Sequence, residues 1–208
     1  MYKHFFKRLI DFFVSFIGML FLLLPMLIIA IAIKCDSKGP VFLKQPRTGY
    51  KGKIFKLYKF RTMIVETHYA DGTWIPHDKR CTRVGRIIRK LSIDELPQLI
   101  NVLKGEMSLI GPRPWIPEYY ENFTDEQRKR CDVLPGITGL AQANGRNAIT
   151  VFEKIKYDIK YVGNITFLGD IKIIIDTVKS VITKSGAEIN QESMFDEIDA
   201  LKAQIKEG

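Results

Sequence analysis

The sequence predicts an α/β protein that is mostly helical, with a small β-hairpin region and a membrane segment at its N-terminus. Three observations carry this. Residues 12–33 run for about 22 positions without a charge, where a membrane-spanning helix needs about 20. Residues 54–60, Ile-Phe-Lys-Leu-Tyr-Lys-Phe, alternate apolar and basic side chains at the period of a strand. Beyond Arg80, apolar residues recur at helical spacing.

At 208 residues and 46% hydrophobic content, the chain can build one compact domain plus an appendage. Its net charge of +9 is uneven: residues 1–90 carry 18 Lys/Arg against 5 Asp/Glu, and residues 91–208 carry 14 against 18. The first part of the chain therefore faces something anionic: nucleic acid, a phospholipid surface or a phosphate-rich substrate. Cys35, Cys81 and Cys131 are odd in number and form no Cys-x-x-Cys pair, which argues against a disulfide framework or a zinc site and for a reducing compartment.

Taken in order, Lys7 and Arg8 precede the apolar run and Lys34 and Lys38 follow it, so neither end is marked as the inside. The run is too long for a signal peptide's apolar core and ends without a small-residue cleavage pattern. Pro25 lies inside it, and the missing N–H and ring clash of a proline bend or break a helix. A kinked spanning helix and a helix-break-helix that enters and leaves one leaflet both fit.

Gly39-Pro40 then turns the chain, residues 41–45 read as a strand, and residues 45–53 as the loop leading to the basic strand 54–60. Residues 66–80 read as a loop in which His68 and His77 are isolated and more in keeping with solvated side chains than with metal ligands. Arg80, Arg83, Arg86, Arg89 and Lys90 line one helix face, with Val84, Ile87, Ile88 and Leu91 on the buried one.

The next helix starts near Ser92–Asp94. Ser92 and Glu95 match a capping box, whereas Pro97 is comfortable only in a first turn that starts at Asp94. Either start puts Asp94 and Glu95 at a helix N-terminus, with Leu96, Leu99, Ile100 and Leu103 as the buried stripe and Gly105 as the cap. Gly111-Pro112-Arg113-Pro114 is a stiff turn that presents Arg113 in a nearly fixed direction. Residues 115–131 read as a surface helix starting near Thr124, without chemistry. Residues 135–147 gather glycines, amides and Arg146 in loops that can face an anion. Residues 152–162 and 167–182 read as helices, the second buried on the domain or lying on the membrane. The stretch from Gly186 is a polar tail with a faint amphipathic pattern at Met194, Ile198, Leu201 and Ile205.

The chemistry concentrates at Asp94 and Glu95. Adjacent acids on one turn point in different directions and divide roles: one can bind a divalent cation while the other attacks an electrophile. A carboxylate attacking phosphorus must overcome repulsion from anionic phosphates, and Arg89, Arg113 and Arg146 are the cations available to reduce it.

From residue 1 to about 182 the chain resembles the small monotopic phosphoglycosyl transferases of the bacterial protein N-glycosylation type (PglC-like) and the matching core of bacterial capsule-initiating sugar transferases. The resemblance rests on Lys7-Arg8-Leu9-Ile10-Asp11, the Pro25-containing run, Lys59-Phe60-Arg61-Thr62-Met63, Leu91 to Gln98, Gly111-Pro112-Arg113-Pro114, Pro135 to Gly139, and Asn144-Gly145-Arg146. Leu24 stands before Pro25 where that family often carries serine.

The resemblance implies that Asp94 is a nucleophile forming a covalent phosphosugar-aspartyl intermediate from a UDP-sugar, with release of UMP. Undecaprenyl phosphate then takes the sugar phosphate. It implies Glu95 as ligand to a Mg2+ cofactor, Arg89, Arg113 and Arg146 as phosphate contacts, and Lys59 and Arg61 among the substrate-binding residues. It also implies a re-entrant helix-break-helix over residues 1–36 in the cytoplasmic leaflet of the bacterial inner membrane, a cytosolic catalytic domain over 37–185 with interface-lying amphipathic helices, and a tail over 186–208. Lys7, Arg8 and Pro25 belong to the membrane segment in this reading. The sugar is expected to be N-acetylated, with a UDP-hexose as the alternative, and the chain to be a minimal catalytic form without further spanning helices. Membrane lipids, downstream glycosyltransferases and a second copy of the chain are the other expected partners. A non-catalytic membrane scaffold is the rival; nucleic-acid binding explains neither the apolar run nor the paired acids.

Overall fold

A computed structural model describes residues 2–66, 68–69, 73, 75–145, 149–182 and 194–207. After one π-helical turn, Tyr2–Phe6, the apolar run forms a single helix α1 (Lys7–Asp36), followed by an antiparallel hairpin of β1 (Phe42–Thr48) and β2 (Ile54–Phe60). Helices α2 (His77–Arg80), α3 (Arg83–Lys90) and α4 (Gln98–Lys104) follow, then β3 (Ser108–Ile110), α5 (Pro117–Glu121) and α6 (Asp125–Arg128). The chain continues through β4 (Gly136–Thr138), α7 (Leu140–Ala143), α8 (Val151–Gly163), α9 (Phe167–Ile182) and α10 (Met194–Glu207). The described chain is thus mostly helical, with two small two-stranded sheets.

Helix α1 is long and apolar enough to cross a membrane, yet one stripe of it is docked on the rest of the chain along its length. Lys7, Asp11, Ser15, Met26 and Ile33 are buried, and Met19, Leu22 and Ile29 pack into the cluster that holds Met26, Ile33, Phe60 and Ile88. These positions recur every three or four residues, as one face of a helix requires. The other face, with Phe13, Leu20, Phe21, Leu24, Leu27 and Ile31, is exposed, Phe21 to 80%.

The helix-break-helix expected at Pro25 is not what the structure displays: Pro25 lies inside continuous helix. Packing of Leu22, Met26, Ile29 and Ile33 on the domain holds the axis together where the proline removes a hydrogen bond. Lys7 and Arg8 are also not lipid-facing charges. Lys7 Nζ donates to Asp170 Oδ2 in α9 at 2.7 Å, and Arg8 caps the end of α4 through Val102 O at 2.7 Å and Leu103 O at 3.4 Å. Asp11 accepts from Ser108 Oγ at 2.7 Å and from the Leu109 amide at 3.2 Å.

Strand β1 runs three residues further than its sequence suggested, through Pro46, which pairs with Lys56. A two-stranded sheet has only edges, so a missing N–H is tolerated. The hairpin is fastened to α4 by the fully buried Asn101, which accepts from the Tyr58 amide at 3.0 Å and donates to Lys56 O at 2.8 Å. This changes the orientation of α4: its most buried side chains are Gln98, Asn101 and Val102, while Leu96, Leu99, Ile100 and Leu103 are only half-buried. Gly105 is the left-handed cap, at φ 83°.

In α3 the buried face is narrower than expected. Gly85 and Ile88 are buried, but Ile87 is 61% and Leu91 59% exposed. A Cβ on Gly85 would lie 2.1 Å from Thr62 O, so α3 is pressed directly on the segment leaving β2.

The glycine-rich stretch after Cys131 contains strand β4, parallel to β3 in the register Ser108↔Gly136 and Ile110↔Thr138. Gly111 N donates to Thr138 O at 2.8 Å and Gly136 N to Pro112 O at 2.9 Å. A Cβ on Gly136 would sit 2.1 Å from Gly111 N, so glycine serves backbone packing there rather than an anion. Thr150 caps α8 and Thr124 caps α6, each through a capping box. The tail does not stand free: Ile198 and Leu201 of α10 pack with Tyr119, Phe123, Val151 and Ile155, and Tyr119 Oη and Lys154 Nζ both donate to Glu197.

Candidate active site

Asp94 and Glu95 occupy a 3-10 turn, Ile93–Glu95, one step before α4 rather than in its first turn. Ser92 is left-handed, at φ 57°, and makes no side-chain cap, so the expected capping box does not form. The reversal at Ser92 brings the two acids under the hairpin and beside the loop that follows β3.

Glu95 is the junction. Its Oε1 accepts from Lys59 Nζ of β2 at 2.8 Å and from Arg113 Nη2 at 2.5 Å, and its Oε2 accepts from Arg113 Nη1 at 3.3 Å. Burial pushes this carboxyl upward, but the Arg113 and Lys59 charges outweigh it and hold the group well below the usual carboxylate range. Asp94 is different. Burial raises its pKa and the neighbouring Glu95 adds to the rise, against the lowering pull of Lys59 and Arg89. One acid is thus committed to cations, while the other has none hydrogen-bonded to it among the described residues.

Lys59 is placed by the register of β2, and burial depresses its pKa while Glu95 supports its charge. Arg113 is placed from behind. Arg130, with 2% of its side chain exposed, donates through Nη2 to Arg113 O at 2.8 Å and to Asp158 Oδ2 at 2.6 Å. Its guanidinium also lies over the Trp115 ring, 4.1 Å from the centroid. The rigidity expected of Gly111-Pro112-Arg113-Pro114 therefore comes from this strut as well as from prolines. Arg113 still exposes 41% of its side chain, so a ligand can reach it.

Arg130 and Asp158 were not legible as site residues, since each sits in a segment whose pattern reads as ordinary helix. Arg47 of β1 is a second cation the sequence did not single out; it lies within electrostatic reach of Arg113 and Glu95.

Other expected residues fall elsewhere. Arg61, 5% exposed, donates to Lys38 O and, at 2.8 Å, to Ser37 O, fastening the chain as it leaves α1. A guanidinium so engaged is a structural brace. Lys7 and Arg8 are the staples described above, and Arg146 lies outside the described residues. Among the described residues no three His, Cys, Asp or Glu side chains gather to hold a metal ion. Magnesium uses one or two carboxylates together with waters and substrate phosphates, and Glu95 would serve such an ion only by giving up an oxygen now held by Arg113 or Lys59.

Residues 2–184 match the family described as bacterial sugar transferase. The chain belongs to that family. Several relatives are named as undecaprenyl-phosphate sugar phosphotransferases. The chain is 50% identical over 156 residues to an uncharacterised sugar transferase EpsL of Bacillus subtilis, covering 75% of this chain and 77% of that protein. It is 40% identical over 195 residues to the galactosyl transferase CpsE of Streptococcus agalactiae, covering 88% of this chain and 43% of that one. It is 43% identical over 190 residues to a UDP-glucose:undecaprenyl-phosphate glucose-1-phosphate transferase of Klebsiella pneumoniae, covering 86% of this chain and 41% of the other. The chain thus spans less than half the length of the last two.

The Arg130 strut has a measurable cost of removal. Arg130→Met leaves the Asp158 carboxylate buried and uncompensated, which destabilises by about 3–5 kcal/mol in chemical denaturation. Arg130→Met combined with Asp158→Leu recovers part of that loss; a double variant as unstable as the sum of the singles would contradict the pairing.

Proposed function

We propose that the chain transfers a sugar 1-phosphate from a UDP-sugar to undecaprenyl phosphate, giving undecaprenyl diphosphosugar and UMP through an intermediate on Asp94. The observation that carries this is the separation of the two acids: Glu95 is neutralised by Lys59 and Arg113, and Asp94 stands beside them with no cation hydrogen-bonded to it among the described residues. The names of the relatives support the reaction class.

In the first step an Asp94 carboxylate oxygen attacks the phosphorus that bears the sugar. The bond from that phosphorus to the bridging oxygen breaks, and UMP leaves with the oxygen and the charge. In the second step an oxygen of the lipid phosphate attacks the same phosphorus and the Asp94 carboxylate departs. Lys59 and Arg113, already oriented by Glu95, face the charge that develops on the leaving phosphate. Glu95 is the residue that would hold Mg2+ together with the diphosphate, and the ion would supply further neutralisation of phosphate charge. Arg89, whose charge is felt by Asp94, and Arg146 are the remaining proposed phosphate contacts.

The acceptor is a lipid, and α1 supports a membrane-seated enzyme. Its inner stripe is docked on the domain from Lys7 to Ile33, so crossing the bilayer would carry the domain with it. We therefore favour a monotopic arrangement in the cytoplasmic leaflet of the inner membrane, with the exposed face of α1 in lipid. A re-entrant path would bend at Pro25, where the helix lacks one hydrogen bond. For the sugar, the relatives' names specify glucose and galactose, which weighs toward a hexose and away from the N-acetylated sugar of the resemblance.

A panel of UDP-sugars scored by UMP release tests the reaction: one sugar is expected to be turned over, and Asp94→Asn to release no UMP. Glu95→Gln should need a higher Mg2+ concentration for its residual activity; turnover by Asp94→Asn would overturn the mechanism. For the topology, a cysteine introduced at Lys3 and the exposed native Cys35 are expected to react with a membrane-impermeant maleimide from the same side of inverted vesicles. Labelling from opposite sides would make α1 a spanning helix.

A further inference from the structure

Arg47 carries a cation to which no carboxylate among the described residues is hydrogen-bonded. In the hairpin register Arg47 pairs with Phe55, Gln45 with Leu57 and Leu43 with Lys59, and directly paired residues share a face. That face is the inner one: Leu57 packs on Val102 and Met107, and Lys59 reaches Glu95. Arg47 therefore stands on the same surface as Lys59, about 13 Å along the strand. The end of β1 is tied to the wall of the site, since the Thr48 amide donates to Trp115 O at 2.8 Å, two residues beyond Arg113.

The bonding of Arg47 is incomplete. Its only hydrogen-bond acceptor among the described residues is Gln45 Oε1, 3.0 Å from Nη2, and its Nε is buried without a partner. The acids within electrostatic reach are Glu95, already shared by Lys59 and Arg113, and Glu118; neither accepts from it. Lys59 and Arg113 thus already share Glu95, and Arg47 stands near them without a carboxylate hydrogen-bonded to it among the described residues. A buried donor left unsatisfied destabilises the fold, and an anion that reached it would offset that cost.

We propose that Arg47 is a further phosphate-binding residue of the site, using the side of its guanidinium that Gln45 leaves free on an oxygen pair beyond Arg113. The fork geometry of guanidinium matches phosphate, whereas a lysine there would offer only a point charge. The phosphate belongs either to the UDP-sugar diphosphate or to the lipid acceptor, an assignment that rests on the transferase reading above.

The test uses the full chain in lipid nanodiscs and measures equilibrium binding of UDP and of undecaprenyl phosphate separately. Arg47→Gln is expected to raise the Kd of one of them by about ten- to a hundredfold, with Arg47→Lys giving a smaller rise. A rise for UDP assigns Arg47 to the donor, and a rise for the lipid assigns it to the acceptor. Kd values within about twofold of wild type for both ligands in both variants would overturn the proposal, as would wild-type protein that binds neither. Should Arg47→Gln lose its folded circular-dichroism spectrum, Arg47→Lys decides by the same criterion. UMP release by the wild type is scored alongside: its absence would defeat the transferase reading while leaving the binding comparison intact.

Discussion

One carboxylate holds the site together. Glu95 joins Lys59 of the hairpin to Arg113 of the loop after β3. Without that anion, two guanidinium or ammonium groups held so close would repel each other and swing to solvent. With it, they are oriented before a substrate arrives, and the cost of gathering positive charge is met during folding rather than during the reaction. The neighbouring Asp94 lies beside these cations, and among the described residues none of them is hydrogen-bonded to it.

The supports behind this arrangement are polar and buried. Asn101 locks the strand that carries Lys59 to the helix that follows Glu95, and Arg130 with Asp158 braces the loop that carries Arg113. The membrane segment is coupled to the same frame. Arg8 caps α4, Asp11 holds the start of β3, and Lys7 reaches Asp170 of α9, whose other carboxylate oxygen accepts from Tyr161 at 2.8 Å. The position of Asp94 relative to α1 is consequently fixed by side chains of α1 itself. In the proposed reaction a soluble nucleotide and a lipid phosphate meet at one point, which requires that position to be constant.

Much of the fold was legible where a local signal governs the outcome. The apolar run became α1, the alternating basic strand became β2, Gly105 became a left-handed cap, and Thr124 began a helix, α6. What was not legible depended on partners distant in sequence. Asn101 and Gln98 read as outward because they are polar, yet the bare edge of β2 gives Asn101 a reason to be inside. Lys7, Arg8 and Arg61 read as membrane or substrate cations, and are spent on Asp170 or on backbone carbonyls. The parallel pair of β3 and β4 is three residues long on each side, too short for periodicity to reveal. The two acids and Arg113 were recognisable from the sequence; that Glu95 would clasp both Lys59 and Arg113 was not, because that bond joins residues 36 and 18 positions apart.

The central claim is that the sugar phosphate passes through Asp94 before the lipid is involved. Rapid-quench measurement of UMP after mixing the protein with its UDP-sugar, in nanodiscs free of undecaprenyl phosphate, tests it directly. The account predicts a burst approaching one UMP per chain and a matching gain of one sugar phosphate on the peptide that contains Asp94. Release of UMP only after the lipid phosphate is added, with no modified peptide, would contradict it and indicate direct transfer between the two substrates.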